Sequence, residues 1–113
     1  MKPGKKIDRI GAETGSFLSP EGTSFKARAL PPDTPANPYY VYEVLEPLPV
    51  TSGRAAAWFG YEGGGTQYLI DWNTIADREG VSVDYIFKYS SSDSEGGIAF
   101  LVDRGYLDRI AGP

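Results

Sequence analysis

Three consecutive glycines constrain this chain more than any other feature. Gly63, Gly64 and Gly65 lie inside the stretch Trp58-Phe59-Gly60-Tyr61-Glu62-Gly63-Gly64-Gly65-Thr66-Gln67-Tyr68. Each glycine loses more backbone freedom on folding than any other residue. A run of three therefore belongs where the backbone turns tightly, or lies close against a ligand with no side chain in the way. The aromatics around it can supply flat apolar walls, and Gln67 both donates and accepts hydrogen bonds. The plain alternative is a glycine-rich hairpin loop beside a core Trp58–Phe59 pair. No GxGxxG and no Gly-Lys-Ser/Thr is present, so the phosphate-cradling motifs do not account for it.

The remainder of the chain reads as one domain over residues 1–113, with residues 1–6 frayed. With 14 Gly and 9 Pro in 113 residues, short strands, turns and ordered loops are expected rather than long helices. Ile7 to Gly11 reads as a short turn or strand, Gly15 to Thr23 as an ordered loop, and Phe25 to Leu30 as extended up to Pro31-Pro32. A Pro, Asp, Thr and Asn linker runs on to Pro38. Tyr39 to Leu45 is the clearest strand, with Tyr40, Tyr42 and Val44 on one face and Tyr39, Val41, Glu43 and Leu45 on the other. Gln67 to Asp71 is a second strand. A weak helical turn capped by Asn73 follows, and then a further strand from Val81 to Tyr89. The Ser90 to Gly97 loop is the most flexible stretch. Ile98 to Arg104 forms a short helix closed by Gly105 in the left-handed conformation, and Tyr106 to Ile110 is a final apolar segment. The fold class is α+β: small and mostly β, with a central antiparallel sheet, short helices and long ordered loops.

Absences narrow the chemistry. The chain has no Cys and no His, which removes thiol nucleophiles, Ser-His triads, the usual zinc ligands and imidazole acid–base catalysis. An enzyme of this composition works with carboxylates, amides, hydroxyls, arginines and backbone groups. A net charge of −4, with no basic run beyond Lys2, Lys5 and Lys6, argues against a nucleic-acid partner. No apolar run approaches the roughly 18 residues of a membrane span, so no membrane partner is expected. The N-terminus lacks the apolar stretch of a signal peptide. The expectation is a cytoplasmic chain, or a domain cut from a longer exported protein.

Four stretches in order carry a resemblance. They are Asp8-Arg9-Ile10-Gly11 with Gly15-Ser16-Phe17-Leu18; Phe25 through Pro32; Tyr40 through Val44 with Pro47-Leu48-Pro49-Val50; and Gly53 through Tyr68. Together they resemble the catalytic domain of the tuberculosis necrotizing toxin family, and Gly105-Tyr106-Leu107 is similar to that family's ending. The resemblance implies hydrolysis of NAD⁺ and NADP⁺ to nicotinamide and an ADP-ribose, with the dinucleotide as substrate, no cofactor and no metal. It implies that Arg9 sits on the dinucleotide and that Gln67 lies close to the scissile ribose. Phe17 stands where the mycobacterial toxin has a functional Tyr, so a stacking role survives and a hydroxyl role does not. Substrate-binding positions are further implied at Gly65 and Thr66 beside Gln67. Departures are the missing His near the tyrosine-rich strand, Ala57 in place of Pro, Tyr61-Glu62 in place of Gln-Pro, and a longer segment over 71–97.

These residues suit that reaction. Nicotinamide is already a good leaving group, and glycosidic cleavage passes through an oxocarbenium-like transition state. The site therefore needs a pyrophosphate clamp, a platform for the nicotinamide and a group that orients the ribose. Arginine's planar fork suits the clamp. Phe17, Trp58 and Phe59 are platform candidates, although on composition alone each is as readily a core residue. Gln67 suits positioning of the ribose hydroxyls and the attacking water. Arg28 is either a second phosphate contact or a salt-bridge partner. Glu43 and Glu46, three apart on a strand, point to opposite faces and are structural. Two alternatives stand beside hydrolysis: ADP-ribosyl transfer to a macromolecule, and a non-catalytic NAD- or protein-binding module. The family also implies a cognate immunity protein and a place at the C-terminus of a secreted toxin, acting in the target cell's cytosol.

Overall fold

The computed structural model describes residues 1–28, 38–54 and 64–112. In chain order its elements are β1 (Lys6–Ile10), β2 (Phe17–Pro20), α1 (Phe25–Arg28), β3 (Tyr39–Val44), β4 (Val50–Arg54), β5 (Thr66–Ile70), α2 (Trp72–Glu79), α3 (Val83–Phe87), α4 (Gly97–Asp103) and β6 (Leu107–Ala111). The strands form one antiparallel sheet in the order β4-β5-β2-β1-β3-β6.

Register decides what each face of this sheet carries. Ile7 lies opposite Tyr42, Asp8 opposite both Val41 and Ser19, Leu18 opposite Tyr68, and Phe17 opposite Leu69. Cross-strand partners share a face and neighbours along a strand alternate. One face therefore collects Ile7, Leu18, Tyr42, Val44 and Ile70. These pack into a single core with Ile75 of α2, Ile86 of α3, and Ile98, Phe100 and Leu101 of α4. The opposite face carries Asp8, Ile10, Phe17, Ser19 and Gln67, and it is this polar face that receives α1. The alternation expected along β3 holds, with Tyr42 and Val44 buried on the core side.

Several local expectations give way to tertiary structure. The stretch read as a loop over residues 15–23 contains β2, because pairing with β1 and β5 supplies hydrogen bonds that its Ser and Pro content does not suggest; Pro20 is tolerated as the strand's last residue. Phe25–Arg28 is helical rather than extended. Ser24 Oγ accepts from Ala27 N at 3.2 Å and caps it. The expected strand over 81–89 contains α3, capped by Ser82, whose Oγ accepts from Tyr85 N at 3.0 Å. A cap and burial of Ile86 outweigh the β-propensity of its neighbours. The helix expected near residue 73 spans two turns and is capped by Asp71, not Asn73. Residues 1–6 are tied down rather than frayed: Gly4 N donates to Val44 O at 2.7 Å and Leu48 N to Met1 O at 3.0 Å. The serine-rich loop closes on itself through Ser91 Oγ, which accepts from Asp93 N and Ser94 N. Near the C-terminus α4 and the left-handed Gly105, at φ +82°, are as expected.

Candidate active site

Four strand and helix segments build one cavity on the polar face. It has a volume of about 230 Å³ and is lined by Asp8, Arg9, Ile10, Phe17, Ser19, Arg28, Thr66 and Gln67. The sequence singled out Arg9, Phe17, Arg28, Thr66 and Gln67, and all five come together here. Trp58 and Phe59 lie outside the described residues.

Arg9 reaches the cavity wall by an indirect route. Alternation places it on the core side of β1, and its side chain turns under the loop that joins β1 to β2. There Nε donates to Ala12 O at 2.6 Å and Nη1 donates to Phe17 O at 3.0 Å. The guanidinium lies directly on Gly15, where a Cβ would stand 1.9 Å from Nη2 and 2.3 Å from Cζ. Glycine at 15 leaves the guanidinium the space that a side chain would otherwise take. Burial lowers the pKa of Arg9, while the negative charge of Glu13 acts in the opposite direction. Among the described residues no carboxylate lies within ion-pair distance of it. Its charge is therefore available to an anionic ligand.

Phe17 and Gln67 are presented from adjacent strands. Phe17 is 49% exposed and lines the cavity. Gln67 is half-buried in β5, and its cross-strand neighbour on β4 is Gly53, which adds no side chain to crowd the amide. Thr66 is exposed at the start of β5. Gly65 serves the backbone: its N donates to Ala27 O at 3.1 Å, and a Cβ would meet Ala27 Cβ at 2.9 Å. The close approach found at Gly65 is to α1, and Gly65 is not among the residues that line the cavity.

Arg28 is a salt-bridge partner. Its Nη1 lies 2.7 Å from Asp8 Oδ1, and its Nη2 donates to Asp8 Oδ2 at 2.8 Å. Asp8 is fully buried, and its Oδ2 also accepts from Gly22 N at 3.0 Å and from Tyr39 Oη at 2.7 Å. Burial and the bond to Asp8 push the Tyr39 hydroxyl up to about 12. The ion pair forms a charge-balanced part of the cavity wall. Sequence reasoning assigned no role to Asp8, although its place next to Arg9 on one strand already puts the two on opposite faces.

The chain also has relatives among known proteins. The chain is 39% identical over 80 residues to the conidial surface nicotinamide adenine dinucleotide glycohydrolase of Aspergillus fumigatus, an alignment covering 64% of this chain and 34% of that protein. Its fold is similar to that of the tuberculosis necrotizing toxin, solved in complex with its immunity factor. The TM-score is 0.61 at 22% identity, over 91% of this chain and 46% of that one. The chain thus spans about a third of the fungal protein and under half of the toxin chain. The family model described as tuberculosis necrotizing toxin matches residues 1–110, and with so nearly complete a match the chain belongs to the tuberculosis necrotizing toxin family.

Proposed function

We propose that this domain hydrolyses the bond between nicotinamide and ribose in NAD⁺ and NADP⁺. The observation that carries the reading is the convergence of Arg9, Phe17 and Gln67, from β1, β2 and β5, on one cavity. Each suits one part of a dinucleotide. Arg9 offers a fixed positive charge to the pyrophosphate. Phe17 offers an exposed ring for stacking. Gln67 offers an amide that holds the ribose as positive charge develops at its anomeric carbon.

In the reaction the C–N bonding pair leaves with nicotinamide, whose ring nitrogen becomes neutral. Water then supplies hydroxyl to the anomeric carbon and releases one proton. No acid is required to protonate the leaving group, which fits a site without histidine. The fungal relative is a nicotinamide adenine dinucleotide glycohydrolase of the conidial surface, and this supports a secreted or surface-exposed setting. In the finer reading the domain is the C-terminal payload of a toxin, depletes NAD⁺ in the target cytosol and is blocked by a cognate immunity protein.

The test is product analysis. Purified domain incubated with NAD⁺ should release nicotinamide and free ADP-ribose in equal amounts. Labelled ADP-ribose attached to macromolecules would identify a transferase instead. Saturable NAD⁺ binding without turnover would leave only a binding module.

A further inference from the structure

Glu13 sits between Gly11 and Gly15 in the loop joining β1 to β2, and it is 1% exposed. A buried carboxylate needs partners, and these come from far away in sequence. Tyr42 Oη donates to Oε2 at 2.5 Å. Arg109 forks onto both oxygens, with Nε at 3.1 Å from Oε2 and Nη2 at 2.5 Å from Oε1. The main chain is fastened separately. Ile98 N donates to Glu13 O at 3.2 Å. Gly96 presses so closely that a Cβ there would stand 2.6 Å from Thr14 Cα. Strands β3 and β6 and the start of α4 therefore all converge on one short loop, although Glu13 does not line the cavity.

The same loop holds Arg9 from its other side. Ala12, the neighbour of Glu13, supplies the carbonyl that accepts from Arg9 Nε at 2.6 Å, and Phe17 supplies the second at 3.0 Å. A loop with glycine at both 11 and 15 has little stiffness of its own. The ends of the loop are tied by Gly11 N, which donates to Pro38 O at 2.8 Å, and by Ile70 N, which donates to Ser16 O at 3.1 Å; between them the Ala12 carbonyl is steadied by the anchor beside it. We infer that Glu13, gripped by Tyr42 and Arg109, is a positioning residue: it fixes the loop and, through the Ala12 carbonyl, aims the Arg9 guanidinium at the ligand. The inference rests on the cavity being a dinucleotide site. Glu13 touches no substrate and transfers no proton.

A double-mutant cycle tests it. Glu13→Gln keeps the side-chain length and removes the charge that Arg109 grips. It should lower kcat/KM for NAD⁺ tenfold or more in the otherwise unaltered domain, and less than twofold in an Arg9→Ala background. Equal losses in both backgrounds would overturn the inference. A readout independent of turnover is hydrogen exchange of the Arg9 Nε proton, followed by ¹⁵N NMR, which should quicken at least tenfold in Glu13→Gln. Unchanged exchange would overturn the inference as well. A chain inert toward NAD⁺ but with quickened exchange would remove the NAD⁺ reading alone. Should Glu13→Gln fail to fold, Tyr42→Phe removes one donor to the carboxylate and leaves the ring in the core. The same cycle and the same exchange measurement then apply, with smaller shifts in the same directions.

Discussion

Gly15→Ala should separate activity from stability in this domain. The new Cβ would stand 2.3 Å from Arg9 Cζ, where ordinary contact begins at 3.4 Å. The guanidinium must therefore retreat by about 1 Å or more, giving up its bonds to Ala12 O and Phe17 O. It is the far end of a flexible side chain, and Gly15 does not have a positive φ. The fold can accept the change. Loss of two partly exposed hydrogen bonds costs on the order of 1 kcal/mol, and the reduced freedom of the unfolded chain returns about half of that or more. The melting temperature should move by only a few degrees, since about 1 kcal/mol corresponds to roughly 4–8 °C in a domain of this size. Catalysis is less tolerant, because a misplacement of about 1 Å can cost on the order of a hundredfold, or about 2.7 kcal/mol of transition-state stabilisation. Nicotinamide release measured beside a thermal melt gives both quantities. Gly80→Ala is the reverse control: Gly80 caps α2 at φ +67° and an added Cβ would meet nothing within 4 Å, so alanine there should cost about 1 kcal/mol of stability and leave turnover alone. A Gly15→Ala protein with unchanged kcat/KM refutes the reasoning, since it would mean that the seat of Arg9 does not matter.

Other expectations follow from the same contacts. Gln67→Ala should fold normally and lose roughly a hundredfold in kcat, about 3 kcal/mol; Gln67→Glu should keep part of the activity only if the amide acts as an acceptor, and steady-state kinetics on the two variants decides which. Gly97→Ala should destabilise by about 1–3 kcal/mol through overpacking, because its Cβ would stand 2.4 Å from the Trp72 ring, and tryptophan emission should report the displacement. Burial raises the pKa of Glu13, but its hydrogen bonds with Arg109 and Tyr42 outweigh this and hold it below the usual value of 4.5. The unfolded chain therefore takes up that proton first, so stability from this group is complete above about pH 4.5 and is lost as pH falls below it. Urea midpoints across pH 3–6 should show that slope, and it should be reduced in Glu13→Gln.

What was legible in the sequence depended on how local its cause was. The β3 alternation and the Gly105 stop of α4 rest on neighbouring residues, and both are found. Arg9, Phe17, Arg28, Thr66 and Gln67 also gather at one cavity, and short motifs pointed to two of them: Arg9 two residues before Gly11, and Gln67 two residues after the glycine run. What escaped was set by partners distant in the chain. Strand β2 exists because β1 and β5 flank it. Helix α3 exists because Ser82 caps it and Ile86 finds the core. Glu13 meets Arg109 across 96 residues. Nothing local marks Glu13 as buried, since an acid in a loop is ordinarily solvated.

The sequence left Arg28 divided between phosphate contact and salt bridge, and the two roles make opposite predictions. Asp8 is fully buried, and the Arg28 side chain is only 6% exposed. Removing the arginine alone strands a carboxylate in the protein interior, which typically costs 3–5 kcal/mol, a large part of the roughly 5–15 kcal/mol that holds a small domain together. Removing both charges is a different perturbation. In the Arg28→Met, Asp8→Asn double variant, Gly22 N and Tyr39 Oη can still donate to the amide oxygen, and the methionine fills the space of the arginine stem. The double variant should therefore recover most of the stability lost by Arg28→Met, even though it differs from the original domain at two buried positions. Urea unfolding of the three proteins measures this directly. If Arg28→Met alone costs less than about 1 kcal/mol and instead raises KM for NAD⁺, the guanidinium serves the substrate first. A double variant no more stable than the single one would show that the cost lies in lost packing, not in the stranded charge.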